Sequence, residues 1–151
     1  MSSEPDARQI LSSVAARNGV ARDLGIELVE GRLGYARLAL TVQDRMVGGH
    51  GICQGGYIFT LADMTGAYAC LSHNRQTVTQ TAHITYVSPA QRGERLVAEA
   101  VELTRTRRSA TYDVRVTAGD GRLVALFRGQ WRIMEAPAID PSGAPTAVVR
   151  S

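Results

Sequence analysis

The 151-residue chain has no lysine: all 17 of its basic residues are arginine, and 14 acidic residues leave a formal net charge of +3. That excess is scattered rather than gathered in one stripe, so nucleic acid is not indicated as a partner. Arginine instead suits a small ligand that bears phosphate, because its planar fork binds phosphate through two hydrogen bonds. Cysteine is scarce, with only Cys53 and Cys70, and neither their number nor their spacing suggests a disulfide framework or a zinc site. No group of His, Cys, Asp or Glu has metal-ligand spacing, so no metal is expected. No apolar run reaches the roughly 18 residues of a membrane-spanning helix, which excludes such a span. Residues 1–17 mix acids with polar residues and lack an apolar stretch followed by a cleavage site. A cytoplasmic protein without a secretory signal is therefore expected.

What is present is the composition of one globular domain. Hydrophobic residues make up 44% and charged residues 21%, which indicates neither disorder nor a coiled coil, and the length fits a single core. Ile10, Leu11, Val14 and Ala15 recur at helical spacing and predict an amphipathic helix over 7–17 that ends near Asn18-Gly19. The period then changes to two. Ile26 and Leu28, then Ala36, Leu38, Leu40 and Val42, predict a hairpin turning through residues 30–34. After a glycine-rich turn at 48–56 comes a helix from Tyr57 to about Ser72, apolar on nearly every face and so expected to be buried. Alternation over 78–87, 95–105, 110–118 and 123–134 predicts four more strands, which their short connections arrange as an antiparallel meander. The outcome is an α+β fold with five or six antiparallel strands around one long helix. A helical segment over 1–20 precedes the domain at 21–134. A mobile tail over 135–151, rich in proline, follows it. A helix apolar all round needs a wrapping sheet and a second body, most economically another copy of the chain.

The chemistry concentrates where the glycine-rich turn meets this helix. Gly55 and Gly56 leave the first N–H groups of the helix uncovered by side chains, a ready site for an oxyanion or simply a tight turn. Asp63 lies about two turns further on. Its helical neighbours Phe59, Thr60, Gly66 and Ala67 offer little to solvate a charge, so burial should raise its pKa. It is a candidate base or nucleophile, or else a structural carboxylate bonded to Thr60 or capping a loop. At about 1.5 Å per residue, the Gly55 N–H and the Asp63 Cα are roughly 12 Å apart along one helix. One substrate carbonyl cannot touch both. If both act on the same carbonyl, they come from two subunits with antiparallel helices.

The run Gly49 to Gly56, followed by Phe59-Thr60-Leu61-Ala62-Asp63 and Ala67-Tyr68-Ala69, resembles the hotdog-fold acyl-CoA thioesterases of the phenylacetic acid degradation type. The segments 82–89, 110–116 and 124–129 match the later strands of that family, so the resemblance covers about residues 20–134. It implies a sheet wrapped around a central helix, a homodimer with a continuous sheet, and usually a homotetramer of two dimers. It implies hydrolysis of an acyl- or aryl-CoA, with no cofactor beyond the coenzyme A carried by the substrate. Asp63 would activate water or attack the thioester. Gly55 would polarise the carbonyl through its N–H, and Gly56 would assist in the turn. Near the thioester, Gly48 stands where the family commonly has asparagine, and Gln54 where it has histidine. Gly48 offers no side chain, whereas Gln54 still donates a hydrogen bond but cannot carry a proton near neutral pH. His50 would sit near the pocket or steady the turn. Arg107, Arg108 and Ser109 join two strands and form a solvated hairpin or, as the resemblance implies, a contact for the coenzyme A phosphates. The alternatives are a non-catalytic acyl-CoA-binding module and a hotdog hydratase or dehydratase.

Overall fold

Asp6 opens the first helix, α1 (Ala7–Ala16), with a capping box: its carboxylate accepts from the Gln9 N–H at 2.8 Å, and the Gln9 side chain accepts from the Asp6 N–H at 2.9 Å. A computed structural model describes residues 4–147 of the chain. Where the sequence predicts only the end of a helix, Asn18 starts a second one, α2 (Gly19–Leu24). The Asn18 side chain accepts from the Ala21 N–H at 3.0 Å, and Gly25 stops the helix in the left-handed conformation. The hairpin of β1 (Glu27–Arg32) and β2 (Tyr35–Thr41) follows, then α3 (Gly55–Leu71) and the strands β3 (Thr77–Tyr86), β4 (Arg95–Arg105), β5 (Ser109–Thr117) and β6 (Leu123–Ile133).

The six strands form one antiparallel sheet in the order β1-β2-β4-β5-β6-β3. This corrects the expected four-strand meander: of those four strands only β4, β5 and β6 are sequential neighbours, and β3 lies at the far edge against β6. The connection after β3 explains the jump. The N–H groups of Val87 and Ser88 both donate to the Val124 carbonyl, at 2.8 and 3.2 Å, which keeps the chain on β6 until Pro89 ends the strand. Buried Ala90 then accepts from the Cys53 N–H at 2.8 Å, and Gly93 and Glu94 pair with Val42. The link thus passes the N-terminal end of α3 and delivers β4 beside β2. Placing β3 last lets the sheet curl around an apolar helix from both sides.

The core lies between α3 and the inner face of this sheet. Leu38 and Leu40 of β2, Leu96 of β4, Val114 and Val116 of β5 and Trp131 of β6 are all at most 1% exposed, and they pack against Ile58, Leu61, Tyr68 and Ala69 of the helix. Each such apolar side chain contributes about 1.5–3 kcal/mol on burial. Gly66 brings α3 close to the sheet, since a Cβ there would overlap the Trp131 ring. One stripe of α3 stays partly open, with Gly56, Thr60, Asp63 and Ala67 at helical spacing along it.

Residues 136–147 are docked, which corrects the expectation of a mobile tail for these residues. Ala138 and Ile139 are buried with Ile10, against Val14 and Leu71. The loop closes on itself between Ile139 and Pro145, and the Ser13 hydroxyl donates to the Gly143 carbonyl at 2.5 Å. Two buried side chains in a loop carry no period, so pattern reading passes over them. The remainder of the two expected end segments, residues 1–3 and 148–151, lies outside the described residues.

Candidate functional site

The turn before α3 is a small closed loop. Val47 bridges to Cys53, the Gly48 N–H donates to the Ile52 carbonyl at 2.9 Å, and the Gly51 N–H donates to the Gly48 carbonyl at 3.0 Å. Gly51 has φ +77°, a left-handed conformation that glycine adopts without strain, and exposed His50 sits beside it at the tip. The Gln54 N–H donates to the Met46 carbonyl at 2.7 Å, so the residue before the helix is fixed through its backbone.

Gly55 is the first helical residue, and the Tyr86 hydroxyl donates to its carbonyl at 2.8 Å. The Tyr86 ring lies so close that a Cβ on Gly55 would be 2.8 Å from it. The ring covers one side of the helix start, and exposed Gly56 leaves the other open. The first N–H groups of α3 are unused by the helix itself and carry its partial positive charge.

Asp63 lies on the open stripe, half-buried. Burial pushes its carboxyl above the usual range, and a hydrogen bond from the Thr79 hydroxyl, 2.9 Å from Oδ1, works in the opposite direction. The structural alternative of a bond to Thr60 is not what forms: the Thr60 hydroxyl donates to the Gly56 carbonyl at 2.9 Å. Asp63 therefore has one hydrogen-bond donor among the described residues, Thr79 of the edge strand β3, and lies at the border between the sheet-covered side of α3 and its partly open stripe. Cys53 is buried, and burial pushes its thiol up, away from the reactive thiolate.

Gly48, His50, Gln54, Gly55 and Gly56 therefore come together at the start of α3, while Asp63 stands midway along it. Arg107, Arg108 and Ser109 stand at the opposite end, in the β4–β5 hairpin. Arg105 ties this hairpin to the helix end through a bond from its guanidinium to the Cys70 carbonyl at 3.3 Å. Arg75, Arg105, Arg107, Arg108 and Arg132 surround a cleft of about 1080 Å³ there. Thr79, Tyr86, Arg75 and Arg132 escape the sequence reading. For Thr79 the cause is a β-bulge: Thr79 opposes Trp131 but Thr81 opposes Gln130. Simple alternation puts Thr79 on the outer face with Thr81, and the extra residue turns it inward to Asp63.

A six-stranded antiparallel sheet curled around one long helix, with a half-buried carboxylate along that helix, defines a hotdog-fold protein. The model of the thioesterase superfamily matches residues 50–125. The chain is 34% identical to the acyl-coenzyme A thioesterase PaaI of Escherichia coli over 110 residues, 73% of this chain and 79% of the relative. The solved structure of the E. coli PaaI protein from the phenylacetic acid degradation operon matches with a TM-score of 0.83 at 29% identity, over 88% of this chain and 99% of that one. A Streptococcus mutans protein bound to acetyl-CoA matches with a TM-score of 0.70 at 25% identity, over 72% of this chain and 88% of that one. The chain belongs to the thioesterase superfamily, and within it to the hotdog thioesterases of the PaaI type.

Proposed function

We propose that this thioesterase hydrolyses an acyl- or aryl-CoA to the free acid and coenzyme A at two sites shared between the subunits of a homodimer. Asp63 of one subunit takes a proton from water as it attacks, or attacks the carbonyl itself to give a mixed anhydride that water then cleaves. The Gly55 N–H at the start of the other subunit's α3, with Gly56 and the helix dipole behind it, holds the oxyanion. The observation that carries this reading is the half-buried carboxylate of Asp63 on the open stripe of α3, with its pKa raised by burial. It stands about 12 Å along the axis from the N–H groups that would complete the site. An antiparallel partner helix lying on Gly56, Thr60, Asp63 and Ala67 removes that gap, and the small side chains of the stripe allow close approach. The free edge of β3 supports the same assembly, because an uncovered ten-residue edge strand pairs readily with another strand. Two such dimers would form the tetramer usual in the family.

Gly48, His50 and Gln54 border the thioester in this reading, and Arg107, Arg108 and Ser109 meet the phosphates of coenzyme A. None of the five cleft arginines has a carboxylate within 4.0 Å among the described residues, whereas Arg122 and Arg128 elsewhere are paired. Unpaired guanidinium groups gathered around one cleft suit a polyanion. The operon named for the E. coli relative supports an aryl-acetyl group as the acid released. The hydratase alternative needs a histidine with an acidic partner in the pocket. His73 pairs with Glu102 at 2.9 Å, but it stands beyond the C-terminal end of α3, ten residues past Asp63.

Release of free thiol from aryl, short-chain and long-chain acyl-CoA substrates tests the reading. Asp63→Asn is expected to lower kcat by about 10²-fold or more, the scale of a lost general base. Wild type that binds these thioesters yet releases no more thiol than Asp63→Asn would make the chain an acyl-CoA-binding module instead.

A further inference from the structure

Gly48 and Gln54 are the two positions at which the chain departs from the pattern it resembles, and the structure couples them. The φ of Gly48 lies outside the left-handed region, so backbone conformation does not demand glycine there. Space does. A Cβ on Gly48 would lie 2.8 Å from Gln54 Oε1, inside van der Waals contact. The carboxamide of Gln54 thus occupies the volume in which any side chain at position 48 would begin. It makes no capping hydrogen bond to the helix it precedes, and it is exposed. Its backbone is nevertheless fixed on both sides: the Gln54 N–H donates to Met46, and the Gln54 carbonyl accepts from the Tyr57 N–H at 3.1 Å. A carboxamide without a hydrogen-bond partner among the described residues is therefore carried, on a backbone held at both sides, next in sequence to the unpaired N–H of Gly55.

We propose that the Gln54 carboxamide is a second hydrogen-bond donor to the thioester carbonyl oxygen, next to the Gly55 N–H, and that the absent side chain of Gly48 keeps it in that position. The inference rests on the thioesterase reading above and adds to it a compensating pair particular to this chain. A neutral amide neither takes nor gives a proton near pH 7, so Gln54 contributes a fixed dipole to the developing oxyanion and no proton transfer. Gln54 is the group that touches substrate, and Gly48 is a positioning residue acting through it.

A double-mutant cycle in the full-length protein tests the pair. Gln54→Ala is expected to lower kcat on the order of 10²-fold, the effect of losing one oxyanion donor. Gln54→Glu keeps the shape but removes the N–H donors, and it is expected to lose as much. Gly48→Ala adds only a methyl group, and what that methyl meets is the free end of a flexible side chain. The carboxamide swings away, the thermal midpoint stays at the wild-type value, and kcat falls toward that of Gln54→Ala. In the Gln54→Ala background, Gly48→Ala should then have no further effect on kcat. Losses that simply multiply, or a Gln54→Glu variant with wild-type kcat, overturn the proposal. Asp63→Asn in the same assay separates the two levels. Active wild type, inactive Asp63→Asn and an additive cycle reject the pair alone, whereas wild type no better than Asp63→Asn rejects the thioesterase reading and the pair with it.

Discussion

At the scale of single residues, the proposed role of Asp63 as base makes its environment the determinant of the pH range for activity. A base must be ionised before it accepts a proton, and burial holds the Asp63 carboxyl above its ordinary value. The acid limb of kcat/KM is therefore expected above the range of an exposed aspartate, near 4, with activity falling as pH drops through the raised value. Thr79 opposes that shift by donating to Oδ1 of the ionised form. Thr79→Val removes the donor and keeps the shape, so it should move the acid limb to still higher pH while leaving activity on the alkaline plateau far less affected. A profile from pH 4 to 9 for both proteins checks this, and an unmoved or lowered limb in Thr79→Val refutes it. The Cys53 thiol, by contrast, is pushed up and away from use as a nucleophile near neutral pH.

At the scale of elements, the contact between α3 and β6 is the tightest that the fold makes at a glycine. A Cβ on Gly66 would overlap the Trp131 ring, which is itself 0% exposed and wedged edge-on against Tyr112. Neither helix nor ring has room to retreat, so Gly66→Ala should overpack the core. A loss of about 1–3 kcal/mol is expected from such an insertion, read as a lower midpoint in urea denaturation. An unchanged midpoint would mean that α3 rides further from the sheet than its contacts imply. The elements themselves were largely legible in the sequence, because β2 and β4 to β6 alternate cleanly and α3 is a long apolar run bounded by glycines. Pairing was not legible: the alternation of β3 is the same whether it lies beside β4 or β6, and it is the ladder from Thr77 opposite Ile133 to Tyr86 opposite Ala125, continued by the bonds of Val87 and Ser88 to Val124, that decides it. The same limit applied to the site. Gly55 and Gly56 are visible as a glycine pair at a helix start, and Asp63 as a carboxylate midway along the same helix. Thr79 is hidden by a bulge at Gln80, and Tyr86 reaches Gly55 across 31 positions of sequence.

At the scale of the whole molecule, the spacing of Gly55 and Asp63 turns oligomeric state into a catalytic question. Sites built from one subunit's Asp63 and another's helix start can be rebuilt from two inactive parents. Gly55→Pro suits one parent. Proline is tolerated in the first turn of a helix and has no N–H, and the preceding Gln54, at φ −61° and ψ 133°, already has the extended conformation required before proline. The Tyr86 ring must swing aside for it, which a half-exposed side chain can do. Asp63→Asn supplies the other parent. In a mixed dimer one site collects both defects and the other collects neither. If equal amounts exchange subunits at random, half the dimers are mixed and one of their two sites is whole, so about a quarter of wild-type activity should return. Sites contained within single subunits would stay inactive in every combination, because each subunit carries one defect. Thiol release after co-refolding the two variants therefore distinguishes the arrangements directly. Failure to recover activity, with mixed dimers confirmed by mass, would place Asp63 and its oxyanion donor on one chain and require a donor other than Gly55.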